Sequence, residues 1–389
     1  MNVRKLSAHY TQYVIDLRRE FHMYPEPGWE ETRTSARIKE ELTKMGIPFD
    51  SIAGTGVMTE IKGSPGGKLV ALRADMDALR LTERSEVPYK SKNQGVMHAC
   101  GHDGHIAMLL GAAGILNDLK NEIKGTIRLL FQPAEELAKG AARMIDEGAA
   151  QGVDSIFAIH LWNNSDAGTV SVEEGPRLAS CDQFKIHVYG KGCHGAMPHQ
   201  GVDTILAASA VVVNLQSLAS REISPLETVV LSIGRFNSGT GFNIIPGEAV
   251  LEGTVRCFNT EIRSSLPDII ERITKNTAAA YRAEVRLEYI PDIPTTINDA
   301  KCSKIAMKSV KKIMNGKALI NINKSTGSED FSLFLEKVPG VIALLGSRNE
   351  RKAACYPHHH ESFDIDEDVL VAGAALYAQY ALDFLESDL

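Results

Sequence analysis

At 389 residues the chain exceeds the usual size of one hydrophobic core, so its length predicts two domains. With 44% apolar and 23% charged residues it reads as globular rather than disordered. A formal net charge of −7, with no long Lys/Arg run and no aromatic platform, argues against a nucleic-acid partner and leaves a small molecule as the expected one.

Charges break the apolar residues of the first stretch, MNVRKLSAHYTQYVIDLRREF, at every turn, so no secretory leader is expected. Leu6, Tyr10, Tyr13, Leu17 and Phe21 share one helical face, and Pro25, Pro27 and Gly28 end the pattern. The strand-like runs VALRA, GTIRLLFQ and SIFAIHL then alternate with helix-like segments, one after His105 and one from about Leu137 to Gly148. This alternation predicts an α/β fold, a mainly parallel sheet with helices on both faces. From FKIHVYGKG to AEVRLEYI the order is βαββαβ, the pattern of a small ferredoxin-like α+β domain. After Pro291 and Pro294 the mixture of helix and strand resumes through VIALLG to a final helix from about Asp366 to Phe384. The expected organisation is a discontinuous catalytic domain, residues 1–182 and 296–389, with residues 183–295 inserted as a lid and dimerisation domain. No apolar run is expected to span a bilayer. The six cysteines lack disulfide-scaffold spacing, which predicts a cytoplasmic protein.

Four segments carry chemistry-bearing side chains. MHACGHDGH places Cys100 and His102 where a loop enters a helix, a ligand set suited to a borderline-soft divalent ion. The same residues fit a polar helix entry with Asp103 as the cap, or a thiol enzyme with Cys100 as nucleophile and His102 or His105 as base. FQPAEELAKGA sets Glu135 and Glu136 at the end of a strand, where one carboxylate could coordinate a metal while the other moves a proton. An acidic first turn favoured by the helix dipole is the structural alternative. His160 closes SIFAIHLW, and His358, His359 and His360 stand together in YPHHHESFDIDED. Taken singly they read as a core histidine and a surface tract. Jointly, five Cys, His and Glu ligands exceed the needs of one catalytic zinc and fit two metals sharing a bridging ligand.

The ordered set MHACGHDGH, LLFQPAEE, AIHLW, GKGCHGAMPHQGVDTI, GTGFNIIPGEAVLEGTVR, GSEDFS and HHHESFDIDED resembles the metal-dependent aminoacylase and carboxypeptidase superfamily. More narrowly it is similar to the amidohydrolase branch of hippurate hydrolase, indoleacetyl-amino-acid hydrolases, N-acetyldiaminopimelate deacetylase and aminobenzoyl-glutamate hydrolase subunits. The resemblance implies two divalent ions per subunit, Zn²⁺, Mn²⁺ or Co²⁺. Their ligands would be Cys100 as the bridge, His102, Glu136, His160 and His359, the last selected by its place four residues before Phe363. Glu361 stands near where many relatives carry proline. Glu135 matches the family's general base, while Asp75 and Asp77 would stand behind the ligands. His194 matches a histidine that enters the neighbouring subunit's site, implying a homodimer, with a homotetramer as the alternative. Asn243 and Arg256 match substrate-holding residues; read without the family, these three are a strand-end His, a turn Asn and a solvated strand Arg. The implied reaction is hydrolysis of an N-acyl amino acid or short peptide. Dipeptidase, carboxypeptidase or aminobenzoyl-glutamate hydrolase activity is the alternative within the class, and a non-catalytic metal-binding protein lies outside it. The HMYPEPGWEETRT segment leans towards the aminobenzoyl-glutamate hydrolase subunits.

Overall fold

The computed structural model describes residues 2–388. Two compact units result, one of residues 1–175, 297–323 and 330–389, the other of residues 176–296 and 324–329. The short 324–329 segment belongs with the second unit for a local reason. The Ala179 N–H donates to the carbonyls of Ser325 and Gly327, and Arg256 Nη1 donates to the Thr326 carbonyl at 2.9 Å.

In the first unit a seven-stranded sheet runs in the order Phe49–Ile52, Gly56–Lys62, Lys124–Gln132, Ser64–Asp75, Ser155–Asp166, Gly340–Arg348, Val170–Ser171. Its four central strands are parallel, and antiparallel strands close both edges. Central strands covered on two faces must be apolar on both, and alternation divides their side chains between two cores. Leu129, Phe131, Phe157, Ile159, Val341 and Ala343 join one core, with the helices Thr11–Met23, His102–Asp118, Ala300–Ile313 and Leu370–Leu385. Leu130, Ile156, Ala158 and Ile342 join the other, with the short helices Gly140–Asp146 and Phe331–Leu335. The α/β class expected from the strand-like runs is therefore observed.

Two local expectations change. The helix expected from Leu137 begins only at Gly140, because Ala134 and Ala138 take left-handed backbone angles (φ 51° and 56°) that bend residues 133–139 into a turn. The segment Glu367–Leu385 is long and apolar enough to cross a membrane, against the expectation that no run would be. Its apolarity is accounted for by burial, since Leu376, Tyr377, Tyr380 and Phe384 pack in the core of the first unit.

The second unit has the strand order Val229–Ser238, Glu248–Cys257, Cys181–Tyr189, Glu284–Ile293, all antiparallel. With the helices Thr204–Ser217 and Thr260–Ala280 this is the expected ferredoxin-like arrangement. Phe184, Ile186, Val188 and Leu251 on one sheet face pack against Val211, Leu215, Leu266 and Ile270 of the helices.

Phe157 lies at the centre of the first core, stacked on Tyr380 at 4.2 Å and edge-on to Tyr377 at 5.7 Å. Phe157→Ala is expected to cost about 3–5 kcal/mol, read from the urea midpoint; a loss under about 1 kcal/mol would mean the core collapses around the gap.

Candidate active site

The carboxyl ends of the central strands carry the candidate residues, as open α/β sheets favour. The strand Ser64–Asp75 runs into a loop that returns at Cys100. Gly101, at φ 89°, then turns the chain into the helix His102–Asp118. A Cβ on Gly104, one turn on, would lie 2.5 Å from Leu161 Cδ1, so glycine there lets the helix start press against the strand that bears His160.

Hydrogen bonds fix the histidine rings. His102 Nδ1 donates to the Asp77 carbonyl at 2.9 Å, which turns Nε2 into a buried space where it has no hydrogen-bond partner. Around that atom stand Asp75 at 3.7 Å, Glu135 at 3.9 Å and Glu136 at 4.0 Å. This pocket favours positive charge: burial opposes a charged ring, yet Asp75, Asp77 and Glu136 push the pKa of His102 up to about 10. His160 donates from Nδ1 to the Leu161 carbonyl at 2.6 Å and brings Nε2 to 3.6 Å from Cys100 Sγ. Burial, with His105 and His358 nearby, holds its pKa well below the usual value, so Nε2 keeps its lone pair.

Glu135 and Glu136 sit in the 133–139 turn after the strand Lys124–Gln132. Asp77 holds their backbone, its two carboxylate oxygens accepting the Glu135 and Glu136 N–H groups at 3.0 Å each. Glu136 Oε1 lies 3.3 Å from His359 Nε2. Burial raises the Glu136 pKa, but His359 and His102 bring it below the ordinary range. Of five groups of possible ligand atoms among the described residues, two are triads built on Cys100, one with His102 and His160 and one with Glu136 and His359, while Glu135 joins His102 and Glu136 in another; within each group the atoms lie inside 4.8 Å of one another.

The histidine tract separates into three environments. His358 is half-buried, its Nε2 accepting the Asn163 N–H at 3.2 Å, and desolvation of its ring pushes its pKa down to about 3. His360 stacks on Tyr356 at 4.6 Å. His359 alone faces Glu136, from a left-handed backbone (φ 64°) whose N–H donates to the Ala99 carbonyl.

Asp75 and Asp77 stand behind the cluster. Asp75 accepts from His105 Nδ1 at 2.5 Å and from Arg73 at 2.6 Å, while His105 Nε2 accepts the Leu161 N–H. Both ring nitrogens of His105 are thus engaged, which removes it as a base for Cys100.

Sequence reading missed a buried ionic network beside this cluster. Arg18 Nε meets Asp103 at 2.8 Å and Arg18 Nη2 meets Asp364 at 2.7 Å, joining the residue after His102 to the segment after His359. His22 meets the same Asp103 at 2.7 Å and Glu83 at 3.3 Å. The helical phase of Arg18, one position from Leu17 and three from Phe21 on the apolar face, was the available signal that it is buried.

His194, Asn243 and Arg256 lie in the second unit. Ile244 pairs with His194 across a short two-stranded ribbon, and the Gly195 N–H donates to the Asn243 carbonyl at 2.8 Å. The Ala196 N–H donates to His194 Nδ1, leaving the ring proton on Nε2. Arg256 is elsewhere. The ribbon adjoins the Glu248 end of the strand Glu248–Cys257 and Arg256 is near its other end, roughly 25 Å away at the usual rise per residue. One chain therefore does not bring Asn243 and Arg256 onto the same small substrate.

A sheet-end cluster of imidazoles, a thiol and paired carboxylates, in a chain that also carries a ferredoxin-like unit, defines the class of hydrolases that act on amide bonds with metal assistance. Residues 71–383 match peptidase family M20/M25/M40, and the chain belongs to that family. It is 41% identical to thermostable carboxypeptidase 1 of Saccharolobus solfataricus over 96% of this chain and 95% of that one. It is 38% identical to N-acetylcysteine deacetylase of Bacillus subtilis over 96% and 97% of the two chains. The crystal structure of the Bacillus subtilis YXEP protein, a dinuclear metal-binding peptidase of the M20 family, superposes with a TM-score of 0.87 at 35% identity, covering 97% of this chain and 99% of that one.

The ionic network yields a pH dependence. Burial and Arg18 disfavour a charged His22, but Asp103 and Glu83 push its pKa up to about 9, above the unfolded value of about 6.5. The folded state then holds the extra proton between those values. This contribution is complete below about pH 6.5 and is lost as pH rises through about 9. Urea titrations in the presence of chelator are expected to show the His22 contribution falling by on the order of 1–3 kcal/mol over that interval, and the slope should be reduced but not abolished in His22→Gln, because His102 is raised through the same interval.

Proposed function

We propose that this protein is a two-metal amidohydrolase that cleaves N-acyl amino acids, with Glu135 as general base. The observation that carries the reading is the pair of triads meeting at Cys100, with the orphaned His102 Nε2 among three carboxylates. Cys100, His102 and His160 would hold one ion and Cys100, Glu136 and His359 the other; imidazole, thiolate and carboxylate donors fit Zn²⁺, Mn²⁺ or Co²⁺. Once bound, such a pair polarises the acyl carbonyl and lowers the pKa of water towards ~7.

The protein's own groups do the rest. Glu135 is mostly buried, lies 3.9 Å from His102 and stands outside the two triads that share Cys100, although it is also within ligand reach of His102 and Glu136; this places its carboxylate to take a proton from water and return it to the leaving amine. Asp77 orients the base and its neighbour by holding both amides. Arg256 offers a planar fork to the substrate carboxylate. His194, with its proton on Nε2, is a donor suited to the oxyanion of the tetrahedral stage, supplied by the partner subunit of a homodimer. The roughly 25 Å separation of Arg256 from the His194 and Asn243 ribbon supports that sharing, with residues 183–295 as lid and dimerisation domain. Six free thiols support a cytoplasmic setting.

A panel of N-acetyl, N-benzoyl and aminobenzoyl amino acids and dipeptides, run with each metal, defines the acyl side. Glu135→Gln is expected to lower kcat by about 10²–10⁴-fold with both ions retained by elemental analysis, and activity near wild type would refute the assignment. His194→Ala should also be impaired. Mixing it with Glu135→Gln under confirmed subunit exchange should restore about a quarter of the wild-type sites, because one of the two sites in each mixed dimer is intact. No restoration would refute the shared site.

A further inference from the structure

The 133–139 turn is held from beneath by two carboxylates, of which Asp77 is only one. Asp77 receives the amides of Glu135 and Glu136. The amide before them, Ala134 N–H, donates to Glu31 Oε1 at 2.9 Å. Glu31 is completely buried, and its other oxygen accepts the Thr55 hydroxyl at 2.7 Å. Three successive N–H groups thus point inward to fixed acceptors, an arrangement that sets which way the side chains leave the turn.

Ala134 is the crank of that turn. Its left-handed φ of 51° is unfavourable for a residue with a Cβ, and Ala138 at 56° repeats the feature. Asp77 fixes the two amides that follow, but the Ala134 conformation decides the direction in which Glu135 departs. The segment that brings Glu31 also braces the crank. Pro27 bridges Ala78, and a Cβ on Gly28 would lie 3.1 Å from Ala134 Cα and 2.9 Å from Leu137 Cδ1. Trp29, at φ 68°, is strained in the same segment.

We propose that Glu31 is a positioning residue for the reaction, holding Ala134 in its left-handed bend so that Glu135 turns towards His102 while Glu136 turns towards Cys100 and His359. The proposal rests on the reading of Glu135 as base and Glu136 as ligand. Burial, with the Asp77 charge close by, raises the Glu31 pKa, while the Thr55 and Ala134 hydrogen bonds oppose the rise. Glutamine would preserve the geometry, because its amide oxygen can accept from Ala134 and its NH₂ can donate to Thr55.

The test uses the full chain, stripped and reloaded with Co²⁺, comparing wild type, Glu31→Ala, Glu31→Gln and Thr55→Val. For the best substrate of the panel above, Glu31→Ala should lower kcat about 10- to 100-fold and leave KM within about threefold. The visible absorption of bound Co²⁺ should shift because Glu136 is displaced, while Glu31→Gln should recover at least about half of kcat and the wild-type spectrum. Thr55→Val, which keeps the carboxylate but frees one oxygen, should lie between. Wild-type kcat in Glu31→Ala, or equal impairment of Glu31→Gln and Glu31→Ala, overturns the proposal. If Glu31→Ala does not fold, unchanged kcat and spectrum in Thr55→Val overturn it. Failure of the underlying reading is seen separately, as full activity in Glu135→Gln.

Discussion

The Asp77 carboxylate, with the carbonyl of the same residue, organises the candidate site. Its two oxygens accept the amides of Glu135 and Glu136, and its carbonyl accepts the Nδ1 proton of His102. One buried residue, 1% exposed, thereby sets the relation between a helix start, a strand end and the loop that carries it. The pairing works because each partner arrives at the carboxyl end of a parallel strand or at the helix that follows one, where backbone groups are not consumed by the sheet. With Nδ1 committed, His102 Nε2 has one direction left, into the space bounded by three carboxylates.

Burying so much charge is unfavourable unless it is paired. Asp75 shows how the balance is kept: burial raises its pKa, and His102, Arg73 and His105 together hold it well below the usual range. Arg18, completely buried, has the corresponding role in the next layer outward, meeting Asp103 and Asp364 and so linking the two segments that carry His102 and His359. Two concentric sets of charge result. The outer set is satisfied by the protein's own cations. The inner set keeps an imidazole nitrogen unpaired among carboxylates, which is the electrostatic condition for holding a divalent ion.

The second unit has a different logic, since its contribution depends on distance rather than burial. A ten-residue strand separates the ribbon of His194 and Asn243 from Arg256, so the two ends of one sheet lie too far apart for one small substrate to reach both. In the proposed homodimer each copy would supply one end to a site.

Periodicity and punctuation in the sequence determined the α/β class, the ferredoxin-like middle segment and the identity of the ligand-type residues. Those features depend on neighbouring residues, and the alternating runs at VALRA, GTIRLLFQ and SIFAIHL state them directly. At the sequence level only a resemblance favoured His359 over His358 and His360, and the fold gives the three different surroundings. A left-handed backbone turns the His359 ring to Glu136 while its neighbours are taken up by Asn163 and Tyr356. Glu31, Arg18 and His22 were illegible as members of the site, because their partners lie up to several hundred positions away and each sits in an ordinary helical or loop context. The helix expected from Leu137 failed for the same reason. Local propensity favoured it, but two distant carboxylates and a pair of left-handed alanines bent the chain into the turn that carries Glu135 and Glu136, and such long-range hydrogen bonds exist only in the folded state.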